Sequence, residues 1–143
     1  MNHDRYPDDY LRDILERVRT IAVLGASPRS ARPSHGVMAY LQRHGYRTIP
    51  VNPKAAGDTI NGETCYAALA EVPEPIDMVD VFRRSEAAGD AVDQAITAGA
   101  KIVWMQLGVR DDAAAARAEA HGLKVVMNRC PAIEIPRFGL PHR

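Results

Sequence analysis

Ile21-Ala22-Val23-Leu24-Gly25-Ala26-Ser27 carries four apolar residues into a glycine and two small residues, and Pro33-Ser34 then opens an amphipathic segment. That succession is a buried parallel strand turning into a helix, because a strand covered on both faces reads as an unbroken apolar run. The turn is expected to face backbone N–H groups outward beside the positive end of the helix, a place that favours anions. Between Ala26 and Gly57 there is no Asp or Glu, whereas Arg29, Arg32, Arg43, Arg47 and Lys54 all fall inside that window. A phosphorylated ligand is expected there.

The same strand-to-helix unit recurs along the chain. Apolar positions Tyr10, Leu11, Ile14, Leu15 and Val18 follow Asp8-Asp9 at helical spacing and define a leading helix within residues 1–19. Strands are expected over 20–24, 47–51, 77–82, 101–107 and 123–127, with a short one near Thr59-Ile60 and a helical turn around 66–70. Helices are expected over 33–44 and 85–98 and from Asp111-Asp112 to His121-Gly122, with Gly45, Gly99 and Gly122 as stops. Strands alternating with helices specify an α/β domain with a mostly parallel sheet, and right-handed crossovers make it doubly wound and Rossmann-like. No linker or repeat divides residues 1–143, so one domain is expected, with its core over 20–136.

Composition narrows the partners. Lys plus Arg and Asp plus Glu number 18 each, which argues against nucleic acid or an anionic membrane as a general partner and makes any anion site local. Cys65 and Cys130 stand far apart and fit no metal-ligand spacing, so free thiols in a reducing cytoplasm are expected. The polar Met1-Asn2-His3-Asp4-Arg5 start and the lack of a long apolar run give neither a signal peptide nor a membrane span. Exposed Tyr6, Tyr10 and Leu11 on the leading helix would leave room for a self-interface.

In a doubly wound sheet the ligand sits outside the carboxyl ends of the strands. Those ends are Gly25-Ala26-Ser27, Asn52-Pro53-Lys54, Phe82-Arg83-Arg84, Gln106-Leu107-Gly108 and Asn128-Arg129-Cys130. Gly25 permits a tight turn, and Ala26 and Ser27 are small enough for close approach. The next glycine after Gly25 is Gly36, so the dinucleotide fingerprint is absent. An NAD-binding domain places a carboxylate after its second strand to hold the ribose hydroxyls. Here Lys54 stands in that place, which suits a ribose bearing a phosphate, as in coenzyme A or NADP. An arginine fork at Arg83 or Arg84 would pair with a pyrophosphate, or else with Asp80 or Glu86. Arg29 and Arg32 would close over phosphates or remain solvated. Cys130, His35 and Glu134 are the available reactive side chains, each with a packing role as the alternative; Trp104 reads as core. His44 and His121 are placed to meet helix-terminal carbonyls. No Ser/His/Asp set and no metal-ligand spacing assembles.

Val23-Leu24-Gly25-Ala26-Ser27, Val51-Asn52-Pro53-Lys54, Gly62-Glu63-Thr64-Cys65-Tyr66, Asp80-Val81-Phe82-Arg83 and Asn128-Arg129-Cys130-Pro131 together carry a resemblance. Over residues 20–136 the chain resembles the stand-alone CoA-binding domain proteins, which look like the N-terminal domain of the succinyl-CoA synthetase alpha subunit. The resemblance implies that Gly25, Ala26, Ser27 and Pro28 meet the CoA diphosphate region, with Arg29 beside them. It also implies that Lys54 meets the phosphorylated nucleotide, and that Val81, Phe82 and Arg83 pack along the cofactor. The synthetase holds its phosphorylated catalytic histidine in a second domain that residues 1–143 do not contain, so ligase activity is not implied. What is implied is a protein that binds coenzyme A or acyl-CoA without catalytic machinery of its own. The alternatives are a small NADP-dependent oxidoreductase, or a CoA-binding subunit that serves a partner enzyme chain.

Overall fold

In the computed structural model, which describes residues 1–142, the alternation of apolar runs and amphipathic segments becomes a three-layer α/β/α arrangement. In chain order the elements are α1 (Asp8–Arg17), β1 (Thr20–Leu24), α2 (Pro33–Arg43), β2 (Arg47–Val51), β3 (Thr59–Ile60), β4 (Glu63–Thr64), β5 (Met78–Val81), α3 (Ser85–Ala98), β6 (Ile102–Met105), α4 (Asp112–Ala120), β7 (Lys124–Val126) and α5 (Pro131–Arg137). Five parallel strands pair in the order β2-β1-β5-β6-β7, and β3 with β4 makes a separate antiparallel ribbon. The chain runs outward from β1 to β2, then returns across β1 to lay β5 on its other side. The order therefore reverses between β1 and β5, where a crevice opens at the carboxyl ends.

Alternation along each strand divides the core. Ile21 and Val23 face α1, α2 and α5 and pack with Leu11, Ile14, Met38, Leu41, Trp104, Val126 and Ile135. Ala22 and Leu24 face the other way and pack with Val79, Val81, Val103 and Met105 beneath α3 and α4. The inner faces of α3 and α4 are mostly alanine (Ala88, Ala91, Ala95, Ala114, Ala115, Ala118), which lets both helices lie close to the sheet. Trp104 is fully buried and donates its indole N–H to the Arg129 carbonyl at 2.9 Å, as a buried indole must find an acceptor.

Two expectations are corrected. Tyr6 and Leu11 are not exposed; they are 8% and 1% accessible, and Tyr10 is half-buried. The tyrosines instead cap the free edge of β7. The Tyr6 hydroxyl accepts from the Met127 N–H at 2.8 Å, while the Tyr10 hydroxyl donates to the Val125 carbonyl at 2.8 Å and accepts from its N–H at 3.0 Å. An unpaired strand edge is a template for another chain, and here side-chain hydroxyls take the place of a sixth strand. Burial pushes the Tyr10 phenol up to about 12. Tyr6→Phe leaves the Met127 N–H buried without its acceptor and is expected to cost about 1–3 kcal/mol in urea denaturation; a change under a few tenths would remove the capping role.

The second correction concerns residues 131–137, for which no helix is expected above and which form helix α5. Pro131 starts it, where the missing N–H is harmless, and Pro136 falls in its last turn. Two prolines in seven residues mask the helical pattern. No helix among the described residues is long and apolar enough to cross a membrane.

Candidate functional site

The carboxyl rim is built around Gly25. Its φ of +97° lies where side chains are strained, and a Cβ at this position would stand 2.2 Å from the Phe82 carbonyl oxygen. The loops after β1 and β5 are thus in backbone contact, held by Phe82 N–H to Leu24 O, while Gly25 N–H to Val51 O ties the same turn to the end of β2, both at 2.8 Å. No residue but glycine fits this approach without displacement.

The loop after Gly25 is organised by side chains. Ser34 in the first turn of α2 accepts from the Ser27 N–H at 3.1 Å, and the Ser27 hydroxyl accepts from the Arg29 N–H at 3.1 Å. Asn52 bridges to the next loop: its amide donates to the Ala26 carbonyl at 2.8 Å and its oxygen accepts from the Lys54 N–H at 3.0 Å. Of the N–H groups in this turn, those of Gly25, Ser27 and Arg29 have internal acceptors.

Pro28, Arg29, Arg32 and Lys54 are exposed, and Ser27 is half-buried between them. Among the described residues, Arg29, Arg32 and Lys54 have no carboxylate partner. The other two cations of the acid-free window lie elsewhere. Arg43 ends α2 and Arg47 begins β2, both at the amino end of the sheet, and Arg47 is clamped by Glu63 and by Glu74 at 3.1 Å. Those carboxylates hold the Arg47 guanidinium well above its ordinary value.

On the β5 side, Phe82 is half-buried and Arg83 reaches Asp90 at 3.5 Å, while Arg84 is exposed at the start of α3. Neither arginine meets Asp80. Ala26 and Val81 are buried at 1% and 0%, so neither offers side-chain surface to the rim. Cys130 is buried, as packing predicts, and Glu134 is buried and held by Arg137 at 2.8 Å. His35 is half-buried, its carbonyl accepting from Asn61 at 3.2 Å. His121 does meet a helix-terminal carbonyl, that of Arg117 at 2.9 Å, whereas His44 stacks between Tyr40 and Tyr46.

Sequence inspection missed the polar pair under the crevice. Asp80, in the middle of the sheet between Val23 and Trp104, is fully buried. Gln106 turns inward to it, and with its amide oriented to donate, the nitrogen stands 3.0 Å from Oδ1 and 3.2 Å from Oδ2. Burial pushes the Asp80 carboxyl well above the usual carboxylate range. A carboxylate one residue before an apolar strand end carries the only available signal, and its partner is 26 residues away. A groove of about 570 Å³ lined by Leu69, Val72, Ile76, Gln94 and Ala98 lies at the opposite, amino end of the sheet, remote from this rim.

A parallel sheet whose strand order reverses beside a glycine turn defines a doubly wound, Rossmann-like α/β domain. The sequence profile of the family described as CoA binding domain matches residues 19–136, and the chain belongs to that family. It is 37% identical to YneT of Bacillus subtilis over 120 residues, covering 84% of this chain and 87% of that protein. It is 25% identical over 122 residues to the ADP-forming acetate–CoA ligase I of Archaeoglobus fulgidus, covering 78% of this chain but 18% of the ligase. Among solved structures, a hypothetical protein from Pyrococcus horikoshii superimposes with a TM-score of 0.89 at 39% identity, over 96% of this chain and 95% of that one.

Proposed function

We propose that the chain binds coenzyme A, free or as a thioester, across the carboxyl rim. In this reading the diphosphate lies over Gly25, Ser27 and Pro28 with Arg29 and Arg32 beside it. Lys54 meets the 3′-phosphate, and the pantetheine arm passes Phe82 and Arg83. The observation that carries it is the set of exposed cations without carboxylate partners, Arg29, Arg32 and Lys54, gathered around the Gly25–Phe82 contact of a chain whose net charge is zero. Local charge of one sign on a neutral protein serves a ligand rather than solubility.

Calorimetric titration with CoA tests it, and no heat at millimolar ligand in low salt would sink it. Lys54→Ala is expected to weaken CoA about tenfold or more, the value of a charge-assisted contact, and dephospho-CoA by no more than about twofold. Equal losses for both ligands would take Lys54 off the 3′-phosphate.

A second reading, that the chain lends a CoA site to a separate catalytic partner, draws on the ligase relative, in which the matching region is 18% of a longer chain. Co-purification of a second enzyme chain from the native cell would favour it. The NADP-dependent alternative would need a reactive group at the rim; Cys130 and Glu134 are buried, which leaves half-buried His35. Hydride transfer to carbonyl substrates would restore it.

A further inference from the structure

Asn52 stands between two loops of the carboxyl rim and is bonded to both. β1 and β2 run side by side with Leu24 opposite Val51, and their contact ends with Gly25 N–H to Val51 O. Beyond that rung the two chain segments part, one toward Ser27 and α2, the other into a short turn over Pro53–Ala55 that carries Lys54. The half-buried Asn52 side chain closes the gap, donating to the Ala26 carbonyl at 2.8 Å and accepting from the Lys54 N–H at 3.0 Å. The Asn52–Ala26 bond is, among the described residues, the one hydrogen bond that joins residues 26–32 to residues 52–58.

The residue type fits this task. Neighbouring strands lie about 4.8 Å apart, so a side chain spanning the loops that leave them must carry a donor and an acceptor on a short stem. A carboxamide has both. An aspartate would set an oxygen against the Ala26 carbonyl, and a serine hydroxyl can serve the turn but is too short to cross to Ala26. The reversed amide would oppose oxygen to oxygen and N–H to N–H, so the two partners fix its orientation. The backbone of Asn52 is held as well: its N–H donates to the Tyr66 carbonyl at 2.8 Å, and its carbonyl accepts from the Ala55 N–H at 3.1 Å. Pro53 has a set φ and no N–H, so the Lys54 N–H is the first donor of the turn, and the Asn52 side chain takes it. The point at which Lys54 leaves the backbone is thereby fixed relative to the Ser27 loop.

We propose that Asn52 is the positioning residue that sets the spacing between the diphosphate and 3′-phosphate positions of the rim, and so makes the rim discriminate CoA from dephospho-CoA. This rests on the CoA reading above, which lays the diphosphate over Ser27 and the 3′-phosphate on Lys54. Asn52 touches neither phosphate in that arrangement; it acts through Ala26 and Lys54.

Calorimetric titration of the full chain with CoA and dephospho-CoA tests it, on the wild type, Lys54→Ala, Asn52→Ser and the double variant. In the wild-type background Lys54→Ala is expected to cost CoA about tenfold, the value of a charge-assisted contact. In the Asn52→Ser background the same change is expected to cost at most about twofold, because coupled residues give non-additive losses. Serine still caps the Lys54 N–H, and Asn52→Ala, which removes the cap too, is expected to narrow the Lys54 effect in the same way. A merely structural role would weaken both ligands in proportion and leave the Lys54 effect at its wild-type size, which overturns the proposal. An Asn52→Ser chain that does not fold, or that folds and binds neither ligand, makes Asn52 a general support of the rim and overturns it as well. CoA binding by the wild type with undiminished discrimination in Asn52→Ser overturns the positioning role and leaves the CoA reading standing. The absence of any CoA heat with the wild type overturns both.

Discussion

Gly25→Ala is expected to destabilise the chain by about 2–6 kcal/mol and to abolish whatever binding the rim supports. Two costs add at this position. A φ of +97° strains any residue with a Cβ by about 1–3 kcal/mol, and the new carbon would stand 2.2 Å from the Phe82 carbonyl oxygen. That oxygen belongs to the backbone and cannot rotate away, so the β1 and β5 loops must part, at an overpacking cost of about 1–3 kcal/mol. For a chain of this size each kcal/mol moves Tm by about 2–4 °C, giving a loss on the order of 10 °C in thermal melts. Gly36→Ala is the control. It lies in α2 with nothing within 4 Å of the added carbon, and alanine there is expected to be neutral or to stabilise by up to about 1 kcal/mol. A Gly25→Ala variant that melted with the wild type would remove the close approach as the reason for this glycine.

Asp80→Asn is expected to stabilise the chain increasingly as pH rises. The folded state holds the Asp80 proton more tightly than the unfolded chain because burial penalises the carboxylate. The wild type therefore keeps its full stability from this group below the ordinary carboxyl value of 3.8. It loses stability as pH climbs from there through the raised folded value, at up to about 1.4 kcal/mol per pH unit. An asparagine has nothing to titrate, and its amide still pairs with Gln106. The gap between variant and wild type should open with rising pH in urea denaturation from pH 4 to pH 8. A gap independent of pH would mean that the carboxyl is not desolvated as its position in the sheet requires. Asp80→Leu should be worse than Asp80→Asn, because it leaves the Gln106 amide without a partner at a cost of about 1–3 kcal/mol.

Much of the fold was legible in the residues. The helix expected over 85–98 is observed as Ser85–Ala98, and the strands expected over 20–24 and 47–51 match β1 and β2. These segments carry long apolar patterns with a capping residue or a glycine stop, and such signals act over one or two turns of chain. The β6 and β7 strands are shorter than their apolar runs, because Gln106 and Leu107 leave the ladder to turn and Leu123 precedes it. Helix α5 was hidden by its prolines.

The candidate site was legible in part, for a related reason. Gly25, Ser27, Arg29 and Lys54 lie at strand ends, and strand ends can be read from where an apolar run stops. Arg47 could not be separated from Lys54 by sign alone. Seven residues apart, they stand at opposite ends of β2 and its following turn, one clamped by two glutamates and the other exposed. The hydrogen bonds of Ser34 and Asn52, which take up loop N–H groups, were equally out of reach of spacing.

By itself the sequence determined the α/β class, the parallel run of the strands, the place of the glycine turn and the sign of the charge near it. These follow from periodicity and from backbone rules that operate within a few residues. Only the tertiary structure decided the strand order β2-β1-β5-β6-β7, the contact between Gly25 and Phe82, the burial of Asp80 against Gln106 and the capping of β7 by Tyr6 and Tyr10. Each of these joins groups 22 to 121 residues apart, as in Ile102 to Lys124 and Tyr6 to Met127. Such pairs form because buried polar groups must find partners and close-packed backbones leave no room for a misplaced carbon, constraints that exist only once the layers have closed.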